Sequence, residues 1–121
     1  MKTVKTQDGE RFQAIGGLGV MYYFKILEIS RYKENVPVIA SENMIIYAFV
    51  VDKGDEKPKL IVIDQNDKWG VKFMDLPNYN KVKPPLTTHL LYFATLKGER
   101  ETALILYDIL DGDSFDKSDL V

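Results

Sequence analysis

The nine residues Met44 to Asp52 read M-I-I-Y-A-F-V-V-D, and they restrict the fold more than any other stretch. Successive side chains of a strand point to opposite faces. Here both sets are apolar, so this strand has to be covered on both sides and lie centrally in a sheet. Lys53-Gly54-Asp55-Glu56-Lys57-Pro58 supplies a turn, and Lys59 to Asp64 (K-L-I-V-I-D) returns as the partner strand. The chain has 121 residues and no cysteine. One hydrophobic core, without disulfide support, must therefore hold the sheet together.

The remaining periodicity is also that of strands. Val20 to Ile29 is rich in β-branched and aromatic residues and follows the breaker Gly16-Gly17-Leu18-Gly19. Lys68 to Phe73 reads as a short strand with Trp69, Val71 and Phe73 on one face. Leu76 to Leu86 contains Pro77, Pro84 and Pro85 and is expected to be largely irregular. Leu90–Lys97 and Thr102–Ile109 flank Gly98-Glu99-Arg100-Glu101 as the arms of a hairpin. The first arm could form a short helix capped by Thr88, but it is apolar all round and reads better as a strand. This element order predicts an all-β fold, a small five- to six-stranded Greek-key barrel of the OB type, with a simple β-sandwich as the alternative. Residues 1–110 would form the single domain and residues 111–121 an acidic C-terminal tail.

The formal net charge of −2 is unevenly placed. Residues 1–107 carry 15 Lys/Arg against 13 Asp/Glu, while the last 14 residues carry five aspartates and one lysine. The body is thus +2 and the end −4, the pattern of a solvated interaction segment. No run of 18 apolar residues is present and no secretory signal is visible, so a cytoplasmic protein with no membrane association is expected.

Motifs for catalysis are weak. His89 is the only histidine, and Thr87 and Thr88 beside it make no known nucleophile arrangement. Asp52, Asp55 and Glu56, like Asp64 and Asp67, fall in turns, where such residues have structural work. Gly16-Gly17-Leu18-Gly19 lacks the Lys-Ser/Thr of a phosphate-binding loop and reads as a bend. Asp111-Gly112-Asp113 fails as a calcium loop because Phe115 stands at a ligand position. No enzyme, cofactor or metal is expected.

Lysines interleaved with aromatics are the remaining signal. Tyr23 shares a face with Lys25, Tyr32 precedes Lys33, Trp69 lies between Lys68 and Lys72, and Tyr79 is followed by Lys81 and Lys83. Tyr47 joins them as a weaker candidate on an apolar strand. Stacking on aromatic planes beside cations is how single-stranded nucleic acid is held.

With the acidic segment Asp108 to Val121, this layout resembles phage-type single-stranded DNA-binding proteins. The resemblance implies an OB fold, non-specific binding of single-stranded DNA in replication and recombination, and host cytoplasm as the setting. It also implies a tail whose Asp111, Asp113, Phe115, Asp116 and Asp119 contact replication or recombination proteins. The rival reading is a non-enzymatic inhibitor or adaptor that binds another protein through strand edges and acidic residues. Assembly into a homodimer is open under either reading.

Overall fold

The computed structural model describes residues 1–37, 44–67 and 72–120. Among the described residues six strands form one sheet: β1 (Thr3–Thr6), β2 (Gly9–Ile15), β3 (Met21–Leu27), β4 (Met44–Val51), β5 (Lys59–Asn66) and β6 (His89–Thr95). Their spatial order is β1-β2-β3-β6-β4-β5, with antiparallel neighbours throughout. The doubly apolar run is indeed an inner strand, since β4 lies between β6 and β5. A 3-10 turn (Ile29–Arg31), a second (Phe73–Asp75), a four-residue helix α1 (Tyr79–Val82) and a 13-residue helix α2 (Glu99–Asp111) complete the described elements.

Two corrections follow for the all-β barrel and sandwich. The edge strands β1 and β5 do not pair, so the single sheet stays open and no OB barrel closes. The expected last strand, Thr102–Ile109, is instead most of α2, and the fold is mixed α/β. Thr102, Ile105, Leu106, Ile109 and Leu110 recur at the helical spacing that puts them on one face. Thr102 and Ile109 are buried, and Ile105, Leu106 and Leu110 pack against the same core. Glu99 and Glu101 in the first turn suit the positive end of the helix. The Lys117 ammonium donates to the carbonyls of Leu110 and Gly112 at its other end, at 2.7 and 2.9 Å.

The sheet carries a core on each face. Toward α2 stand Phe12, Ala14, Phe24, Ile46, Ala48, Val50 and Leu91. On the opposite face Ile45, Tyr47, Phe49 and Leu90 are covered by Phe73, Leu76 and Val82 from the connection between β5 and β6. A register shift between Phe49 and Val50 places the consecutive Ile61 and Val62 against this second core.

The acidic end is not a free tail. Phe115 is 3% exposed, with its ring 5.1 Å from that of Phe12 and 6.1 Å from that of Phe24. The Asp116 backbone pairs with the β5 edge through Leu60 N–H to Asp116 O (2.8 Å) and Asp116 N–H to Pro58 O (2.9 Å). Ser114 Oγ accepts the Ile15 N–H at 2.8 Å. The segment therefore straps β2 to β5. No helix among the described residues is long and apolar enough to cross a membrane.

Candidate functional site

Coverage of the second sheet face stops partway across. Over β4 and the start of β6 it leaves Ile45, Tyr47, Phe49 and Leu90 at 0% exposure. On β2 and β3 the same face stays open, with Ile15 at 45%, Met21 at 53% and Tyr23 at 44%, and Lys25 exposed. Strand pairing sets these side chains in rows. Ile15 stands opposite Met21, Gln13 opposite Tyr23, and Lys25 opposite Tyr92 on β6. One further step along the β2–β3 ladder brings Arg11 beside Lys25. Arg11, Tyr23, Lys25 and Ala94 line a shallow concavity of about 550 Å³, with the β1–β2 turn at its rim.

The face is graded from charge to apolar surface. Arg11 and Lys25 form no ion pair with another described residue. Burial pushes the Tyr92 hydroxyl above its ordinary pKa, and the charge of Arg11 pulls it part of the way back. Further along the strands, the Gln13 amide donates to Met21 Sδ at 3.3 Å, and the Tyr23 hydroxyl lies 3.6 Å from the same sulfur. Tyr23 and Lys25 are thus brought together with Arg11, Gln13, Met21 and Tyr92, which sequence reasoning passed over. The alternation Arg11-Phe12-Gln13-Ala14 was a signal for the strand that carries Arg11 and Gln13.

The other expected contacts scatter. Tyr47 is 0% exposed, and its hydroxyl donates to Pro77 O at 3.0 Å, so it has no face free for a base. Burial above all pushes it up to about 12. Tyr79 packs between Phe49 and Phe73, with ring centroids at 6.0 and 5.6 Å. Tyr32 is 45% exposed and sets an edge toward Phe73, with Lys33 exposed after it. Lys72 is exposed next to the Phe73–Asp75 turn, and Lys81 and Lys83 are exposed on and after α1. Lys68 and Trp69 lie outside the described residues.

Within the strap, Asp113 pairs with Lys57 at 2.8 Å and Asp119 with Lys59 at 3.1 Å. The first pair holds the Asp113 carboxyl below its ordinary range, and the Ser118 backbone N–H does the same for Asp116. Asp111 ends α2 against Gly17. Phe115, as shown, is core.

The glycine run has a structural purpose. Gly17 N–H donates to Asp108 O at 2.9 Å, Leu18 N–H to Asp108 Oδ1 at 2.9 Å, and Tyr22 Oη to Asp108 Oδ2 at 2.6 Å. Burial, then Asp108, pushes Tyr22 up to about 12. A Cβ on Gly16 would fall on the Asp108 carboxylate, and one on Gly112 would fall on the Ile15 carbonyl. The β2–β3 loop therefore clasps the end of α2 through backbone that only glycine lets approach so closely.

His89 is held in a comparable latch. Its Nδ1 lies 2.7 Å from Thr88 Oγ1, which also accepts the Asp52 N–H at 2.8 Å. The Asp52 carboxylate takes the Met1 amine at 2.6 Å and the Gly54 N–H at 3.1 Å. Burial works against the charge of Asp52, but these donors outweigh it and keep its pKa low. Burial lowers His89. No three His, Cys, Asp or Glu among the described residues group as a metal site. A second groove of about 390 Å³ between β1, β2 and the strap has its charges paired, Lys57 with Asp113 and Lys2 with Glu56.

Fold and site together define an open-faced antiparallel α/β sheet domain. No protein-family model, curated protein or solved structure matches the chain. The layout likeness to phage single-stranded DNA-binding proteins is overturned. The open sheet has no closed-barrel cleft to hold a strand, and the aromatic set expected to stack is partly core.

Proposed function

We propose that the chain is a non-catalytic protein-binding module that offers the uncovered face of β2 and β3 to a partner. One observation carries this reading. A sheet face that is fully buried along β4 is open over β2 and β3, yet it shows Ile15, Met21 and Tyr23 exposed there beside the polar Arg11, Gln13 and Lys25. Aromatic and methionine side chains beside arginine are the residue types enriched at interfaces. His89 and Asp52 are engaged in the latch around Thr88, which supports binding over catalysis. A cytoplasmic setting belongs to the same reading and rests on a sequence without cysteine.

Selection of binders from a displayed peptide library against the folded protein tests it. Enriched binders should protect the amides of Gln13–Ile15 and Met21–Lys25 from hydrogen exchange. They should also lose affinity for a Met21→Ser/Tyr23→Ser variant of unchanged melting temperature. Binders that protect only α2 would place the interface elsewhere.

A further inference from the structure

The uncovered face also carries information about what it binds. Neighbouring strands lie about 4.8 Å apart at the backbone, so Arg11, Lys25 and Tyr92 start from adjacent positions on β2, β3 and β6 and share one face; Arg11 Nη1 donates to the Glu10 carbonyl at 2.9 Å. Two residues along the strands, about 7 Å away, come Gln13 and Tyr23, and two residues further Ile15 and Met21. Neither cation has an ion-pair partner among the described residues. Lys57 and Lys59 beside the strap, by contrast, are matched to Asp113 and Asp119. Asp8 at the β1–β2 turn is the carboxylate lining the same concavity. Cations left unmatched at one end of an apolar stripe are complementary to a ligand with the opposite charge at one end and apolar groups beyond it.

We infer that the partner segment is an extended acidic–apolar peptide, with a carboxylate against Arg11 and Lys25 and apolar side chains on Tyr23 and Met21. This rests on the protein-binding reading of the face. The spacing suits a peptide along the strands, because an extended chain carries every second side chain on one side at steps of about 7 Å. An Asp or Glu followed at the second and fourth positions by Phe, Leu or Met repeats the grading of the face. Arginine's planar fork fits a carboxylate with two parallel hydrogen bonds. The Tyr23 and Tyr92 rings flank the cation row and would exclude water around that contact.

The same stripe is a poor fit to a nucleic-acid strand. A phosphate chain needs cations repeated along its length, whereas here the charge stops after one row and Met21 and Ile15 continue it. The exposed pair Leu104 (64%) and Tyr107 (66%) on the outer side of α2 is the competing surface, and it has the single exposed cation Arg100 one turn before Leu104, where the sheet face has two.

Fluorescence anisotropy with three labelled probes decides the matter. The probes are an acidic–apolar peptide of about 12 residues with Glu or Asp two positions before Phe and Leu, its Gln/Asn counterpart, and an oligothymidylate of equal length. The acidic peptide should bind at least about tenfold more tightly than the neutral one, a difference of about 1.4 kcal/mol. Arg11→Gln/Lys25→Gln should abolish that preference, as should raised salt, while Leu104→Ser should change nothing. Circular dichroism melts confirm that each variant folds.

Equal binding of both peptides, lost in Tyr23→Ser but not in Arg11→Gln/Lys25→Gln, would overturn the acidic partner and leave the protein-binding face standing. Binding of the oligothymidylate alone, lost in Arg11→Gln/Lys25→Gln, would overturn both. Peptide binding that is lost only in Leu104→Ser would move the interface to α2, and no binding of any probe would overturn the inference.

Discussion

Strand β4 buries every residue from Ile45 to Val50, whereas β3, two places away in the same sheet, buries Phe24 and exposes Met21, Tyr23 and Lys25. Both strands carry α2 and its core on one side. They differ on the other, where the connection from β5 to β6 lays Phe73, Leu76 and Val82 over β4 and the second core reaches β3 only at its last residue, Leu27. Side chains over β4 answer to packing density, and those over β3 answer to solvent or to a partner. Apolar residues on the second side therefore cannot be explained by the core.

Phe49→Ala in the covered half should cost about 3–5 kcal/mol in urea unfolding, the usual loss for a fully buried aromatic. Phe115→Ala should cost nearly as much, because its ring completes the cluster with Phe12 and Phe24. A Phe115→Ala midpoint equal to wild type would restore a dispensable tail. Gly112→Ala should cost about 1–3 kcal/mol, since the new methyl meets the Ile15 carbonyl and the backbone must shift. Ser at the exposed Gly19, where added atoms meet open space but φ is +85°, tests backbone strain without crowding and should cost less.

A smaller effect belongs to pH. His89 is depressed below its ordinary 6.5, so the unfolded chain takes up a proton before the folded one does. Its contribution is complete above about pH 6.5 and declines as pH falls through the window between the two pKa values, levelling below the folded one. Urea midpoints should fall between about pH 7.5 and about pH 5.5 more in wild type than in His89→Gln. An equal decline would remove His89 as the cause. Asp52, also depressed, contributes above its ordinary 3.8 and loses that contribution in the more acid range. Tyr23→Ser on the open face should stay within about 0.5 kcal/mol of wild type, as surface changes do. A loss as large as that of Phe49→Ala would erase the difference between the halves.

The strands with strong composition were legible: Met44–Val51, Lys59–Asn66, Met21–Leu27 and His89–Thr95 all lie where apolar and β-branched residues cluster. Pairing was not, because β6 enters between β3 and β4 on contacts from distant parts of the chain that no local pattern encodes. Thr102–Ile109 misled because a short apolar run satisfies either period, and the helix signals lay just outside it in Glu99 and Arg100. The β1–β2 hairpin was missed although Gly9, at φ +111°, marks its turn. Of the open face, Tyr23 and Lys25 were found through their shared strand face. Arg11 and Tyr92 needed the register that joins β2, β3 and β6.

Whether the open half of the sheet is the binding half is read from a nuclear magnetic resonance titration. With the acidic–apolar peptide added to ¹⁵N-labelled protein, amide shifts should concentrate at Arg11, Gln13, Met21, Tyr23, Lys25 and Tyr92 and leave Ile45 to Val50 unmoved. Shifts confined to Leu104, Tyr107 and their neighbours on α2, with β2 and β3 silent, would contradict it.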